Sequence, residues 1–245
     1  MNVEPSVKSA TERSDSGGVL GVRLLIRFAI LALVFPAVLF VAAGTLKWAW
    51  GWAYYAMLVL SIAVSRGLMM SQHPDLVVER ARYREKADAK GWDRILVDVV
   101  ALYGPLITWI VSGLDHRYGW SPEVAPALHW IAAVVVAVGM AFASWAIVAN
   151  RFFSAVVRIQ EDRGHEVVTG GPYRVVRHPG YAGGAWSWLA TPPMLGALWA
   201  YVPALLTVAV IVVRTALEDR TLHRELAGYA DYARRTRYRL LPGVW

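Results

Sequence analysis

Long, nearly uncharged apolar runs dominate this sequence and restrict its fold more than any other feature. The clearest are residues 24–44, 48–65 and 127–149, and a helix needs about 20 such residues to cross the hydrocarbon core. In lipid every backbone polar group must be paired, so these runs predict transmembrane helices. With 57% hydrophobic and 18% charged residues, the chain is too apolar for an ordinary soluble domain. We therefore predict an integral membrane protein.

Two further stretches extend this pattern. Residues 94–114 form a weaker span because they include Asp98. Residues 181–213 are too long for one crossing and are interrupted by Pro192-Pro193 and Pro203, which predicts a tight helical hairpin. The expected fold is all-α and polytopic, with about six transmembrane helices, a C-terminal helical hairpin and a cytosolic pocket. We divide it into a disordered cytosolic tail (1–20), a four-helix transmembrane region (21–149) and a C-terminal region (150–245).

The basic residues indicate the orientation in the membrane. Of 25 Lys and Arg residues, all but Lys47 and Arg117 lie in the N-terminal segment, at the end of the second run, in 71–94 or 150–180, or from 214 onward. Because basic loops are retained in the cytosol, both termini and both long loops are expected there. The prediction is a multi-pass protein of the plasma or inner membrane. The net charge of +7 is then explained by the orientation of the protein in the membrane and by contact with anionic lipid head groups, not by nucleic-acid binding.

Several classes of chemistry have no support in the sequence. The chain has no cysteine, which excludes disulfides and thiol nucleophiles. It also lacks an HExxH motif, a P-loop, a dinucleotide fingerprint and a carboxylate cluster, so no metal site is predicted. The charge-rich stretch 73–93 has alternating signs and predicts a solvated helix. Residues 225–239 are basic and aromatic and predict an amphipathic segment on the lipid surface.

Polar residues crowd into two stretches of the C-terminal region. In the first, Gly170-Gly171-Pro172 cannot continue a helix, and Arg177-His178-Pro179 places a cation and an imidazole where the next helix begins. In the second, Arg214 and Glu218 share one helix face and can pair. Ionisable groups at the edge of a span indicate a functional site. A basic juxtamembrane loop and a snorkelling arginine would explain the same residues.

As an ordered set, these residues resemble the isoprenylcysteine carboxyl methyltransferase family. The resemblance covers roughly the C-terminal 95 residues. It implies a membrane-embedded methyltransferase that uses S-adenosylmethionine and acts on a hydrophobic or lipid-like acceptor. The family's paired glutamates stand here as Glu218-Asp219. The matching positions are Gly171-Pro172-Tyr173, Arg177-His178-Pro179-Gly180-Tyr181, Arg214, Glu218-Asp219, Leu222, Gly228-Tyr229, Tyr232 and Arg239-Leu240-Leu241-Pro242.

The resemblance also implies roles for single residues. Arg214 would bind the methyl acceptor and, with Glu218, form the catalytic pair. Arg177 or His178 suits the cofactor's carboxylate and Glu218 its ammonium, while tyrosine rings suit its cationic centre. The predicted cofactor-binding residues are Gln160, His165, Val168, Tyr173, Arg177, His178, Tyr181 and Glu218.

Two other functions stay open at this stage. Membrane sterol reductases have a related C-terminal half that binds NADPH, although this chain is short for that class and has no evident 2′-phosphate site. A non-enzymatic membrane accessory protein could keep the fold, but the complete set of polar residues argues against a decayed site. The acceptor group, whether a carboxylate, an amine or a thiol, is also left open.

Overall fold

The computed structural model describes residues 37–82, 85–86 and 88–245. These residues form helices that are joined by turns and by the long loop 150–178. These residues contain no strand, so the all-α prediction is confirmed for them. Single helical turns lie at Glu161–Arg163, Gly171–Arg174 and Leu198–Ala200. The helices are α1 (Ala49–Gln72), α2 (Pro74–Ala81), α3 (Gly91–Asp98), α4 (Gly104–Tyr118), α5 (Pro126–Ala149), α6 (Pro179–Leu195), α7 (Tyr201–Glu225) and α8 (Tyr229–Arg235).

Four helical stretches are long and apolar enough to cross a membrane: Ala49–Gln72, Gly91–Tyr118, Pro126–Ala149 and Leu198–Glu225. Gly91–Tyr118 joins α3 to α4 through the π-helical turn Val99–Tyr103. These stretches match the second, third and fourth predicted spans and the second arm of the hairpin, so the polytopic membrane fold is confirmed. Residues 37–43 are helical, whereas the tail 1–20 and most of the first span at 24–44 lie outside the described residues.

The C-terminal hairpin turns at a glycine and not at the prolines. Pro192 and Pro193 lie inside α6, and Pro203 lies in the first turn of α7, so the expected breaks at these residues are wrong. A proline in the first turn of a helix removes only a donor that has no partner there. The chain reverses after Gly196, whose φ of 69° is easily adopted only by glycine.

Helices α5 and α6 pack closely because small residues face each other. A methyl group at Gly139 would lie 2.6 Å from the carbonyl oxygen of Gly183, and one at Gly183 would collide with the carbonyl of Gly139. Ser187 Oγ lies 2.9 Å from the Gly183 carbonyl and 3.3 Å from that of Val136. Such contacts are typical of helix pairs in membranes. They fix the two helix ends from which the loop 150–178 extends.

We expect the loops 150–178 and 119–125 to lie on opposite sides of the membrane, because Lys and Arg are concentrated in the first. Single cysteines at the exposed positions Glu166 and Glu123 would report this in a chain without native cysteine. An impermeant thiol reagent added to intact cells should label Glu123→Cys and not Glu166→Cys. Labelling of both positions from the same side would contradict the topology.

Candidate active site

A pocket opens where the loop 150–178 meets the adjoining ends of α5, α6 and α7. The enclosed cavity has a volume of about 90 Å³ and opens to the solvent at its mouth. The structure brings all nine predicted site residues to this one pocket, while their individual roles stay predictions. They are Gln160, His165, Val168, Tyr173, Arg177, His178, Tyr181, Arg214 and Glu218.

The buried carboxylate of Asp219 links three chain segments beside the pocket. It accepts hydrogen bonds from Arg177 Nε (2.8 Å) and Nη2 (3.1 Å) and from Arg239 Nε (2.8 Å). His178 Nε2 at 3.2 Å and the Tyr229 hydroxyl at 2.9 Å complete the shell. Because a carboxylate accepts, the His178 proton on this side is carried by Nε2. Asp219 therefore ties α7 to the start of α6 and to the C-terminal segment.

These contacts distinguish Arg177 from His178. The Arg177 guanidinium also donates Nη1 to the carbonyls of Thr236 (3.0 Å) and Arg237 (2.7 Å), so protein atoms engage it on all three nitrogens. His178 stacks on Tyr181 with ring centroids 5.9 Å apart. Its Nδ1 has no hydrogen-bond partner among the described residues. His178 can therefore contact a ligand, whereas Arg177 mainly shapes the wall.

Arg214 is paired, but not with Glu218. Its Nε and Nη2 donate to the two oxygens of Asp93 at 2.6 and 3.0 Å, and Nη2 also donates to the Ala155 carbonyl at 2.8 Å. Asp93 is fully buried and also accepts the Val157 N–H at 2.7 Å. The guanidinium lies 5.2 Å from the Tyr181 ring centroid. Only Nη1 of this arginine has no protein partner in the described part of the chain.

Glu218 takes a separate position on the same helix. Its Oε2 accepts the Tyr181 hydroxyl proton at 2.6 Å, and none of the described ion pairs includes Glu218. The side chain is half-buried and lines the pocket. Within the described residues, the pocket therefore holds a carboxylate that no Lys, Arg or His neutralises directly. Such a group attracts a cation that enters the pocket.

Aromatic side chains form one wall of the pocket. Tyr173, Tyr229 and Tyr232 are buried in one cluster with Leu226. The Tyr232 hydroxyl donates to the Tyr173 carbonyl at 2.7 Å, which ties α8 to the loop. Burial raises the pKa of Tyr173 and of Tyr229 well above the ordinary value, so both stay neutral. In the stretch 225–239, predicted to be an amphipathic segment on the lipid surface, Tyr229, Tyr232 and Arg239 thus contact protein.

Gln160 and His165 hold the outer loop in place. Gln160 is buried, donates Nε2 to the Phe152 carbonyl at 2.6 Å and accepts from Arg163. The backbone N–H of Gln160 donates to His165 Nδ1 at 3.3 Å. Burial, together with the charges of Arg158 and Arg163, lowers the pKa of His165 to about 4. His165 is therefore a neutral imidazole at physiological pH, with its proton on Nε2.

Sequence reasoning missed two anionic residues beside the pocket, Glu79 and Asp93. Glu79 pairs with Arg158 at 2.8 Å and with Lys86 at 2.7 Å. Both acids are buried, so the solvated-helix prediction for 73–93 is wrong for them. The alternating charges along this stretch gave no indication of the partners of these two acids. Those partners are arginines that lie 79 and 121 positions further along the chain. The available signals were Asp93 at the start of an apolar run and a weaker resemblance to the family at Glu79-Arg80.

A family model agrees with this region. The model of the isoprenylcysteine carboxyl methyltransferase family matches residues 130–224, which include α5, the loop, α6 and most of α7. Residues 130–224 are therefore similar to this family. The resemblance is thereby confirmed for this part, and α8 and the C-terminal segment lie beyond the match.

Two curated relatives give the same family. They are named "Probable protein-S-isoprenylcysteine O-methyltransferase" and come from Oryza sativa subsp. indica and subsp. japonica. Each is 40% identical to this chain over 55 residues. The matched stretch is 22% of this chain and spans only 29% of each relative. The similarity to the methyltransferase family is therefore limited to part of the chain, and the segment that the family model matches forms most of the pocket.

Replacing Asp219 with Asn should destabilise the fold, because two buried or half-buried arginines would lose their charged partner. Breaking a buried ion pair from one side costs about 3–5 kcal/mol. The matched control is Asp231→Asn, because Asp231 is exposed and its ion-pair partner among the described residues is Arg234; such pairs contribute about 0–1 kcal/mol. Thermal unfolding in detergent would compare the variants. Equal midpoints for both would show that the Asp219 cluster is not what holds the pocket.

Proposed function

We propose that this chain is a membrane-embedded methyltransferase that uses S-adenosylmethionine and methylates a carboxyl group on a hydrophobic acceptor. The observation that carries the proposal is the single pocket lined by all nine predicted residues, within the segment that matches the family. The pocket adjoins the ends of three apolar helices. A lipid-borne acceptor could therefore approach from the bilayer and the soluble cofactor from the aqueous side.

The residues present fit this cofactor. Glu218 is a carboxylate without a cationic partner in the described residues, and it suits an ammonium or sulfonium group. His178 Nδ1 and the rings of Tyr173 and Tyr181 are the other groups suited to hold it. When bound, S-adenosylmethionine supplies a methyl group that a sulfonium already activates. The protein then has to position the methyl donor and the acceptor, exclude water from them and balance their charges. It does not have to activate the donor.

A carboxylate acceptor matches the remaining machinery. A carboxyl group with an ordinary pKa near 4 is ionised at neutral pH, so its methylation needs no general base. The neutral tyrosines of the wall would be poor bases, because their pKa values are raised. Arg214 keeps Nη1 available to orient such an anion, and orientation alone can supply a large rate enhancement. Methylation of an amine or thiol would also require removal of a proton, whereas in this proposal the two candidate bases, Glu218 and His178, bind the cofactor.

The reductase and accessory-protein alternatives have less support. The matched family and the two rice relatives are named for methyl transfer. Titration of the purified protein with S-adenosylmethionine, S-adenosylhomocysteine and NADPH would decide between the three functions. We expect the two sulfur compounds to bind and NADPH not to bind. Binding of NADPH alone would favour the reductase, and binding of none would favour the accessory role.

Glu218→Gln should weaken S-adenosylmethionine binding by about tenfold, because it removes the unpaired negative charge that faces the cationic ligand. Gln keeps the shape and can still accept from Tyr181, so the fold should persist. Calorimetric titration in detergent would measure the change, with Glu225→Gln on the same helix as the control. Glu225 is exposed and pairs with Lys90. An unchanged affinity in a folded Glu218→Gln protein would contradict the assignment.

Arg214→Lys should reduce turnover by about tenfold or more while leaving S-adenosylmethionine affinity nearly unchanged. Lysine keeps the charge but cannot donate to both Asp93 oxygens and still present a third nitrogen. Methyl transfer to N-acetyl-S-farnesylcysteine would measure this, since the rice relatives are named for S-isoprenylcysteine. A purely snorkelling arginine predicts nearly full activity for the lysine variant. That result would return Arg214 to a structural role.

A further inference from the structure

Arg80, in the last turn of α2, is a charged residue to which the proposed methyl transfer assigns no role. Arg80 Nη1 donates to the Phe153 carbonyl at 3.0 Å, and its guanidinium lies 5.4 Å from the Phe153 ring centroid. Among the described residues these are its side-chain hydrogen bond and its ring contact, and no carboxylate pairs with it. A half-buried cation without a counter-ion is costly unless a ligand supplies the negative charge.

Arg80 and Arg214 both donate hydrogen bonds to the same short segment of the pocket loop. Arg80 bonds the carbonyl of Phe153 and Arg214 that of Ala155. Two residues of chain span at most about 7 Å, so the two carbonyls that these guanidinium groups bind lie within about that distance. The positive charge of Arg214 also acts on Arg80. Asp93 neutralises Arg214 but does not contact Arg80. The pair of arginines therefore keeps one uncompensated positive charge.

The surroundings of Arg80 support the same conclusion. Burial, and then the positive charges of Arg66 and Arg214, lower the pKa of Arg80 to about 10. Arg80 still carries its charge at neutral pH, because that value is well above 7. Phe153 and Arg214 both line the pocket. An anion held between the two arginines would relieve their repulsion and lie at the pocket that the proposed methyl transfer uses.

We propose that Arg80 is a second acceptor-binding residue, which together with Nη1 of Arg214 holds the carboxylate of the methyl acceptor. The inference rests on the proposed function, since it identifies the group that this pocket selects. It also predicts selectivity: an acceptor with a carboxylate should bind better than the same molecule with a neutral amide. Arg80 then contributes to specificity, whereas Glu218 and His178 act on the cofactor.

The test compares N-acetyl-S-farnesylcysteine with its carboxamide in direct binding to the purified full chain. Wild type should prefer the acid by about tenfold or more, and Arg80→Gln should lose most of that preference. Arg82→Gln is the matched control, because Arg82 is exposed two residues further on and should keep the preference. Arg80→Lys should keep part of it. An equal acid preference in wild type and Arg80→Gln, or none in wild type, would overturn the proposal.

Two further readouts separate this inference from its alternatives. A purely structural Arg80 predicts that Arg80→Gln lowers the thermal midpoint of the ligand-free protein, whereas a binding role predicts an unchanged or raised midpoint. An excess of anionic phospholipid that abolishes the acid preference would show that a lipid phosphate occupies the site, which would also overturn the proposal. S-adenosylmethionine affinity, measured in the same samples, reports the proposed function independently. It should be equal in wild type and Arg80→Gln.

Discussion

The buried carboxylate of Asp219 is the interaction on which the rest of the site depends. It lies on the last spanning helix and binds Arg177 and His178 at the start of α6, Tyr229 at the start of α8, and Arg239 beyond it. None of these segments could be held at this point by apolar packing alone, because each brings polar groups to a buried place. A shared anion satisfies them together, since a buried charge is tolerated when it is paired and hydrogen-bonded.

The remaining charges of the pocket divide into paired and unpaired groups. Asp219 and Asp93 are buried, and each is paired with arginine within the protein. Glu218 and Arg80 have no charged partner among the described residues. Glu218 lines the pocket, and Arg80 contacts the pocket residue Phe153, so a ligand could complete one negative and one positive position. A cationic methyl donor and an anionic acceptor together fit this arrangement, which supports the proposed reaction more directly than any single residue does.

The sequence predicted the helices well and the pairing of charges poorly. Apolar runs have a fixed length requirement in a bilayer, so 48–65 and 127–149 correspond to α1 and α5. Charge partners have no such local signature. The spacing of Arg214 and Glu218 allowed them to pair one turn apart, but the partner of Arg214 is Asp93, 121 positions earlier. The position of the hairpin turn was also predicted wrongly. Prolines near a helix end are tolerated, and no apolar run or motif in the sequence indicates the positive φ at Gly196.

The predicted site set came together because its members occupy helix ends that one tight helix pair fixes. Gly139 and Gly183 let α5 and α6 approach, and the loop between them must then fold back over its own ends. What the resemblance could not supply is which members face a ligand. Gln160 and Arg177 have most of their polar atoms engaged by protein, whereas His178, Glu218 and Arg214 each retain one polar atom without a partner in the described residues. The proposed function therefore depends on the polar atoms that have no hydrogen-bond partner within the protein. Each hydrogen bond made within the protein uses a donor or acceptor that could otherwise bind a ligand.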